Sequence, residues 1–238
     1  MERIKIISEP TDKKPFLIIY KPKDLPSAPL TEDDTNNALF QAIELYPQIK
    51  SVHGRKNIEY GLLHRLDTPT DGLLVIALTQ EVYDFLQTEQ KEGRFLKYYT
   101  AKCNILNDSI SNYSEGFPKS PENNHSKFIL TSMFRAYGPG NKEVRPVTKD
   151  SGKKALAKTG KEKMYTTEVE ILEKASNTCL VQCKIKEGFR HQVRCHLAWA
   201  DLPIIGDNLY NPDKKNAEKQ MPFAALLSCI FQQLKYRN

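Results

Sequence analysis

The most constraining feature of this 238-residue sequence is a polar turn that runs directly into an apolar stretch. The turn spans Asp67 to Gly72, and the stretch spans Leu73 to Leu78. A short apolar run bounded by proline and glycine predicts a buried β-strand entered through a tight turn. Because a carboxylate at the mouth of such a strand is held rigidly at a cleft edge, Asp67 is the first candidate catalytic residue.

Arg65 lies two residues before Asp67. In an extended backbone the two side chains point to the same side, so a cation and a carboxylate would face one site. Taken alone, the string is more often a turn whose carboxylate accepts a backbone hydrogen bond beside an ordinary surface arginine.

A second polar string runs from Glu187 to Trp199. A helix beginning after Gly188 would place Arg190 and Arg194 four residues apart on one face. Such a face suits the binding of a phosphate, a base or a carboxylate.

Between these strings, residues 95–101 are predicted to form a strand because they are rich in aromatic residues. Lys97 and Tyr99 would share one face, with Tyr98 on the other. A paired tyrosine on a strand is most often core packing, but one of the two could present its ring to a nucleobase.

Together these strings resemble the Rlu-type pseudouridine synthases, which carry an HRLD-x-x-T-S-G motif, then K-x-Y-x-A, then G-x-x-HQIR-x-HLA. The order and spacing agree here, and Ile204 to Tyr210 is similar to the glycine-aspartate-tyrosine segment that follows the third motif. The resemblance covers roughly residues 16 to 211 with a gap in the middle, and four strings in order are far more specific than any one of them.

The resemblance implies an α+β fold: a mixed, largely antiparallel β-sheet flanked by helices, with an RNA-binding cleft across the sheet. Periodicity alone indicates only a mixture of helices and strands. We expect one catalytic domain over residues 1–238, with a variable insertion around 103–163 and no room for an S4-like module ahead of residue 16.

The resemblance also implies an activity, the isomerisation of uridines in structured ribosomal or transfer RNA to pseudouridine, without a cofactor. Asp67 would be the catalytic carboxylate, acting as a nucleophile or as a base. Arg194 would pair with Asp67 and keep it ionised and aimed. Tyr99 would stack on the uracil and help to remove the C5 proton.

RNA contacts follow from the same resemblance. Because a uridine in folded RNA is inaccessible, the nucleotide must be extruded, and Arg65 would occupy the vacated space. The remaining predicted RNA-binding residues are His64, Arg190, His191 and Gln192. For His64 and His191, a structural hydrogen bond is an equal alternative to a contact with RNA.

Asp71 departs from the family pattern, which commonly has serine there. Its charge would act on Asp67 if the two side chains approach, or it would point to solvent. Two rival functions remain open: a non-catalytic RNA-binding protein that keeps the fold, and a glycosidase using Asp67 with Asp71 as paired carboxylates.

The charge balance permits an RNA partner, since 35 basic and 29 acidic residues give a net charge of +6. Six lysines lie between Lys149 and Lys163, with only Asp150 and Glu162 as acids. Such a run is usually a solvated loop, and the functional alternative is an arm that binds the RNA backbone.

The five cysteines include no CxxC pair, which disfavours both a disulfide framework and a zinc ribbon. The neighbouring Cys195 and His196 suggest a metal ligand only weakly, because no second ligand pair is suitably spaced, and no metal is predicted. No apolar run reaches membrane-spanning length, so we expect a monomeric, cytoplasmic protein without membrane contact.

Overall fold

The computed structural model describes residues 3–106, 116–121, 125–159 and 162–211, together with the backbone of residues 224–226. Two compact units divide the chain: Met1–Lys97 with Pro222–Asn238 in the first, and Tyr98–Met221 in the second. One catalytic domain over residues 1–238 stays a prediction. The elements in chain order are β1 (Lys5–Ser8), β2 (Phe16–Lys21), α1 (Ala38–Leu45), β3 (Asp71–Ala77), α2 (Gln80–Lys91), β4 (Lys97–Asn104), β5 (Lys127–Tyr137), β6 (Glu143–Val147), α3 (Lys153–Leu156), β7 (Tyr165–Lys174), β8 (Thr178–Ile185), α4 (Gln192–Trp199) and β9 (Ala224–Leu226).

The sheet of the first unit has the strand order β1-β2-β3-β9. The β1-β2 and β2-β3 pairs are antiparallel, and β3 pairs with β9 in parallel. Strand β2 ends before Pro22, which has no N–H to donate to the ladder. Helix α1 begins where the Asn37 side chain accepts a hydrogen bond from the Phe40 N–H at 2.8 Å.

Strand β3 is buried, as the apolar run after the turn predicted. It packs with one face of α2 in a cluster that includes Phe16, Val75, Val82, Leu86 and Phe95. Because the mouth of β3 follows directly on the Asp67 turn, this core gives the turn a rigid base.

The second unit has the strand order β4-β8-β7-β5-β6. The β8-β7, β7-β5 and β5-β6 pairs are all antiparallel. Every residue of α4 is buried, and Cys195 and Ala198 on this helix join a cluster with Phe134 and Tyr210. The predicted α+β class with a largely antiparallel sheet is therefore confirmed.

The structure corrects the predicted start of the last helix. His191 adopts a left-handed backbone conformation with φ 56°, and α4 begins only at Gln192. Arg190 therefore lies before the helix, and the expectation that Arg190 and Arg194 share a helical face is wrong. The local cause is the left-handed residue, which cannot continue a right-handed helix.

A buried polar network surrounds His196 on α4. Its Nε2 lies 2.9 Å from the Ser132 hydroxyl on β5, and its Nδ1 lies 2.8 Å from the Thr167 hydroxyl on β7. Burial lowers the pKa of His196 to about 3, so the ring is neutral in the folded protein. Both nitrogens are thus occupied by hydroxyls in the interior, which accounts for His196 without a metal.

The lowered pKa makes stability depend on pH. In the unfolded chain His196 binds a proton near pH 6.5, whereas in the folded chain it does so only near pH 3. The stability that neutral His196 contributes is therefore complete above pH 6.5 and is lost as the pH falls. We expect His196 to account for about 2 kcal/mol of lost stability by pH 5.

Urea unfolding between pH 7 and pH 5 measures this effect in the wild type and in His196→Gln. The variant is expected to be less stable at pH 7 but to show a flatter pH dependence. Equal slopes in the two proteins would exclude His196 as the source.

Candidate active site

Asp67 lies half-buried in a turn closed by the Thr70 N–H, which donates to the Asp67 carbonyl at 3.0 Å. Ahead of it, Leu63 N–H donates to the Val75 carbonyl at 3.0 Å, so the segment runs beside β3. Gly72 follows the turn with φ 139°, a conformation open essentially to glycine. The predicted turn at the mouth of β3 is therefore present.

Side chains from β2 and the following loop hold both neighbours of Asp67. The Ser27 hydroxyl donates to the Leu66 carbonyl at 2.7 Å and accepts from the Leu66 N–H at 2.9 Å. The Lys21 ammonium donates to the Thr68 carbonyl at 3.2 Å. The backbone on each side of Asp67 is thus hydrogen-bonded to a buried side chain.

Lys21 is itself fully buried. Its ammonium also donates to the carbonyls of Pro22 at 2.9 Å and Leu25 at 2.7 Å. One cation therefore ties the loop after β2 to the Asp67 turn. A charged donor makes these bonds stronger than neutral ones.

Asp71 is buried, with 4% of its surface exposed. One carboxylate oxygen accepts a hydrogen bond from the Tyr20 hydroxyl on β2. The other oxygen has no hydrogen-bond partner within the described part of the chain. The alternative in which Asp71 points to solvent is wrong, because a phenol on the neighbouring strand holds it inside.

Arg65 and His64 point in different directions. The Arg65 side chain is 55% exposed and forms an ion pair with Glu59 at 3.3 Å. His64 is buried beside Phe95, with 5.8 Å between ring centroids. Burial, and then the charge of Lys97, lowers the pKa of His64, and neither ring nitrogen finds a partner among the described residues.

The alternation around Asp67 therefore agrees with the predicted extended backbone. Arg65 is exposed, whereas His64 and Leu66 are buried on the other side. The structural hydrogen bond considered for His64 is not found in the described residues, so its ring serves as neutral packing beside Phe95.

In the second unit, Arg194 forms a buried, bidentate ion pair with Asp207. Its Nε lies 2.7 Å from one carboxylate oxygen and its Nη2 lies 2.8 Å from the other. The two side chains are only 9% and 4% exposed. Asp207 also accepts from the N–H groups of Leu209 at 2.9 Å and Tyr210 at 3.1 Å.

His191 lies close to this ion pair through Tyr210. Its Nδ1 is 3.0 Å from the Tyr210 hydroxyl, which also accepts from the Val144 N–H at 2.9 Å. The Arg194 guanidinium lies 5.3 Å from the centre of the Tyr210 ring. For His191 the structural hydrogen bond is thus present.

Gln192 and Arg190 both hold backbone groups. The Gln192 carboxamide accepts from the Phe189 N–H at 2.9 Å and donates to the Thr166 carbonyl at 3.0 Å. Arg190 is exposed and donates to the carbonyls of Asn141 at 2.6 Å and Glu143 at 3.0 Å. Both residues therefore stabilise the backbone of the second unit, and their contact with RNA stays a prediction.

Tyr99 is buried on β4. The strand alternates as predicted, with Lys97 and Tyr99 on its buried side and Tyr98 half-buried.

The predicted site residues divide between the two units. The first unit holds His64, Arg65 and Asp67. The second unit brings together Arg190, His191, Gln192 and Arg194 around the start of α4, and it also contains Tyr99. Among the described residues, no group of three or more His, Cys, Asp or Glu side chains is placed to hold a metal.

Three residues that hold these groups had no assigned role in the sequence interpretation: Tyr20, Ser27 and Asp207. Asp207 lies in the segment Ile204 to Tyr210, which resembles the glycine-aspartate-tyrosine segment of the family, so the sequence did contain a signal for it. The hydroxyls of Tyr20 and Ser27 act over 51 and 39 residues of sequence separation, and no local pattern marks such contacts.

The Tyr20–Asp71 hydrogen bond predicts that removing the Tyr20 hydroxyl markedly lowers the free energy of unfolding. Tyr20→Phe leaves a buried carboxylate without its donor, so we expect a loss of about 1–3 kcal/mol in unfolding free energy. Tyr46→Phe is the matched control, because the Tyr46 hydroxyl bonds to Glu9 at an exposed position and should cost well under 1 kcal/mol. Chemical denaturation at pH 7 measures both, and equal losses would contradict this account of Asp71.

A sequence model described as RNA pseudouridylate synthase matches residues 15–199. The chain is 28% identical over 197 residues to "Ribosomal large subunit pseudouridine synthase D" of Borreliella burgdorferi, covering 82% of this chain and 51% of the relative. It is 26% identical over 198 residues to mouse "Pseudouridylate synthase RPUSD4, mitochondrial", covering 79% and 48%. The chain thus spans about half the length of these curated relatives.

Solved structures agree on the fold. The human RNA pseudouridylate synthase domain containing 1 protein superposes with a TM-score of 0.62 at 18% identity, covering 95% of this chain and 77% of that one. The human domain containing 4 protein superposes with a TM-score of 0.55, also at 18% identity, covering 89% and 78%. The family match includes both the Asp67 turn and Arg194, and the chain belongs to the RNA pseudouridylate synthase family.

Proposed function

We propose that this protein isomerises uridines in structured RNA to pseudouridine, with Asp67, Tyr99 and Arg194 as its catalytic residues. The observation that carries the proposal is the family match over residues 15–199, which contains all three. The rigidly held turn supports Asp67 in particular, because the backbone on both sides of it is hydrogen-bonded to buried side chains.

The reaction breaks the bond between N1 and C1′, turns the detached uracil, and joins C5 to C1′ without losing the base. Asp67 attacks the sugar or base, or removes a sugar proton. Either role needs a carboxylate whose direction is fixed, since small displacements of a reacting group are costly. Isomerisation consumes no co-substrate and needs no cofactor.

Arg194 and Tyr99 complete the proposed site. As the family resemblance implies, we expect Arg194 to keep the Asp67 carboxylate ionised and aimed, and its two hydrogen bonds to Asp207 fix the plane of its guanidinium. Tyr99 stacks on the uracil, and its hydroxyl assists removal of the C5 proton.

The target nucleotide leaves its RNA stack to reach Asp67, at a cost of a few kcal/mol. Arg65 fills the vacated space, and the exposure of more than half of its side chain suits that role. Its ion pair with Glu59 holds the guanidinium at the surface until RNA binds.

Ribosomal RNA is the favoured substrate class, because a relative matched over 82% of the chain is called a ribosomal large subunit pseudouridine synthase. Transfer RNA is the alternative. The four described cysteines are free and buried, which suits work in the reducing cytoplasm. No helix in the described ranges is long and apolar enough to cross a membrane.

The proposal predicts that Asp67→Asn abolishes turnover but not RNA binding. The assay is tritium release from RNA labelled at uracil C5, with ribosomal and transfer RNA transcripts offered separately. Wild-type protein should release tritium from one of them, and the variant should fall by at least about three orders of magnitude, as expected when an essential catalytic group is lost. Asp84→Asn is the matched control, since Asp84 is an exposed carboxylate of the same unit.

Each other outcome points to a rival. RNA binding without release by the wild type, on both RNA classes, would favour the non-catalytic protein that keeps the fold. Appearance of free uracil in the product would favour the glycosidase. Full activity of Asp67→Asn would remove Asp67 from the mechanism.

The hydrogen bonds of Ser27 predict a positioning role. Ser27→Ala removes both bonds to Leu66, and we expect kcat to fall by about tenfold or more while KM changes little. Ser27→Thr keeps a hydroxyl and should restore most of the rate. Ser51→Ala is the control, because Ser51 bonds only the nearby Gln48 carbonyl at an exposed position.

A purely structural role for Ser27 would give a different pattern. The folded fraction would then fall in Ser27→Ala, while kcat per folded molecule stayed at the wild-type value. Kinetics below the unfolding transition, with the folded fraction measured by circular dichroism, separate the two.

A further inference from the structure

A group of four exposed lysines follows β6 in the second unit: Lys149, Lys153, Lys154 and Lys158. We call them the β6 lysine group. None of the four forms an ion pair with any described residue. The only acid among them is Asp150. Because the whole chain has a net charge of +6, these four side chains concentrate much of its excess positive charge within ten residues.

Three other lysines of the same unit form ion pairs. Lys127 lies 3.0 Å from Glu170, and Lys184 lies 3.0 Å from Glu168. Lys163, at the far end of the basic run, pairs with Glu187. The basic run seen in the sequence therefore separates into a paired end and the unpaired β6 lysine group, with Lys161 outside the described residues.

The segment that carries the group is held by local hydrogen bonds. The Ser151 hydroxyl accepts from the Thr148 N–H at 3.0 Å, which closes a turn after β6. The short helix α3 follows, and the Thr159 hydroxyl donates to the Leu156 carbonyl at 2.8 Å. The segment is thus an ordered turn and helix rather than the plain loop that a charge run predicts. Because its lysines project from a backbone with a fixed conformation, less backbone entropy is lost when they bind a partner.

The group also directly follows an edge strand in sequence. Among the described strands of the second unit, β6 is the last, and it pairs with β5 alone. Pro146 interrupts its hydrogen-bonding capacity, which disfavours an added protein strand there. Lysine is depleted at the cores of protein–protein interfaces, whereas exposed lysines without an acidic partner suit phosphates.

We infer that the β6 lysine group is an RNA-backbone binding surface, separate from the residues that act on the uridine. It binds phosphates of the substrate RNA outside the reacting nucleotide, and it contributes affinity without reading sequence. The inference rests on the proposed function only in taking the partner to be the substrate RNA.

Counterion release makes this surface measurable. Each phosphate neutralised by a lysine adds about 0.7–0.9 to the slope of log K against log salt concentration. Replacing all four lysines by glutamine should lower the magnitude of that slope by about 3. At 0.1 M salt the affinity should fall by at least about tenfold, and the difference should shrink at high salt.

The experiment measures binding to the RNA on which the wild type releases tritium, or to ribosomal RNA if it releases none, over a salt series. Three proteins are compared: the wild type, the β6 variant, and a control with the same loss of charge elsewhere in the unit. The control variant replaces Lys127, Lys174, Lys184 and Lys186 by glutamine. Turnover is measured on the same RNA, where the β6 variant should keep kcat and raise KM.

A reduced slope in the β6 variant alone supports the inference. Wild-type binding by the β6 variant, or an equal loss in the control, overturns it. If the wild type has no isomerase activity but the β6 variant alone loses slope, the proposed function fails and the surface stands. If the wild type isomerises uridine and the three slopes agree, only the surface fails. The paired variants K149Q/K158Q and K153Q/K154Q, each checked by circular dichroism, give the same comparison should the fourfold variant not fold.

Discussion

The buried ion pair between Arg194 and Asp207 is the contact around which the second unit is organised. A guanidinium and a carboxylate this deeply buried are favourable only when their remaining hydrogen-bonding capacity is met. Asp207 meets it by accepting from two backbone N–H groups, which fixes the turn that carries Tyr210. The Tyr210 hydroxyl then accepts from β6 and lies next to His191 at the start of α4. One charge pair thus sets the position of a helix, a turn and an edge strand.

The first unit holds its turn through hydrogen bonds from buried side chains to backbone groups instead of through an ion pair. The Asp67 turn follows an extended segment and precedes a buried strand, so its own backbone has few ladder partners. Ser27 and Lys21 supply those partners from another strand and its loop. The carboxylate is left half-buried, while the peptide groups around it are held. This arrangement keeps a reactive side chain accessible without making its backbone loose.

Much of the fold followed from sequence patterns, because the strands are apolar or alternating and helices α1 and α2 begin at the side-chain caps Asn37 and Thr79. The apolar run after the turn became β3, and residues 95–101 lie largely in β4. The start of α4 could not be predicted, since it depends on a left-handed His191 that local propensity does not favour. Likewise, the burial of Asp71 depends on a tyrosine 51 residues away, and a short polar side chain in a turn gives no sign of such a partner.

The Tyr20–Asp71 hydrogen bond also constrains how this chain can change over evolution. A serine at position 71 would bring no charge to stabilise, and a Tyr20 hydroxyl facing it would lose its charged acceptor. The two positions are therefore energetically coupled, so the effects of changing them should not add. Either single exchange is therefore expected to cost stability that the double exchange partly restores. Asp71 and Tyr20 act as one energetic unit across two neighbouring strands.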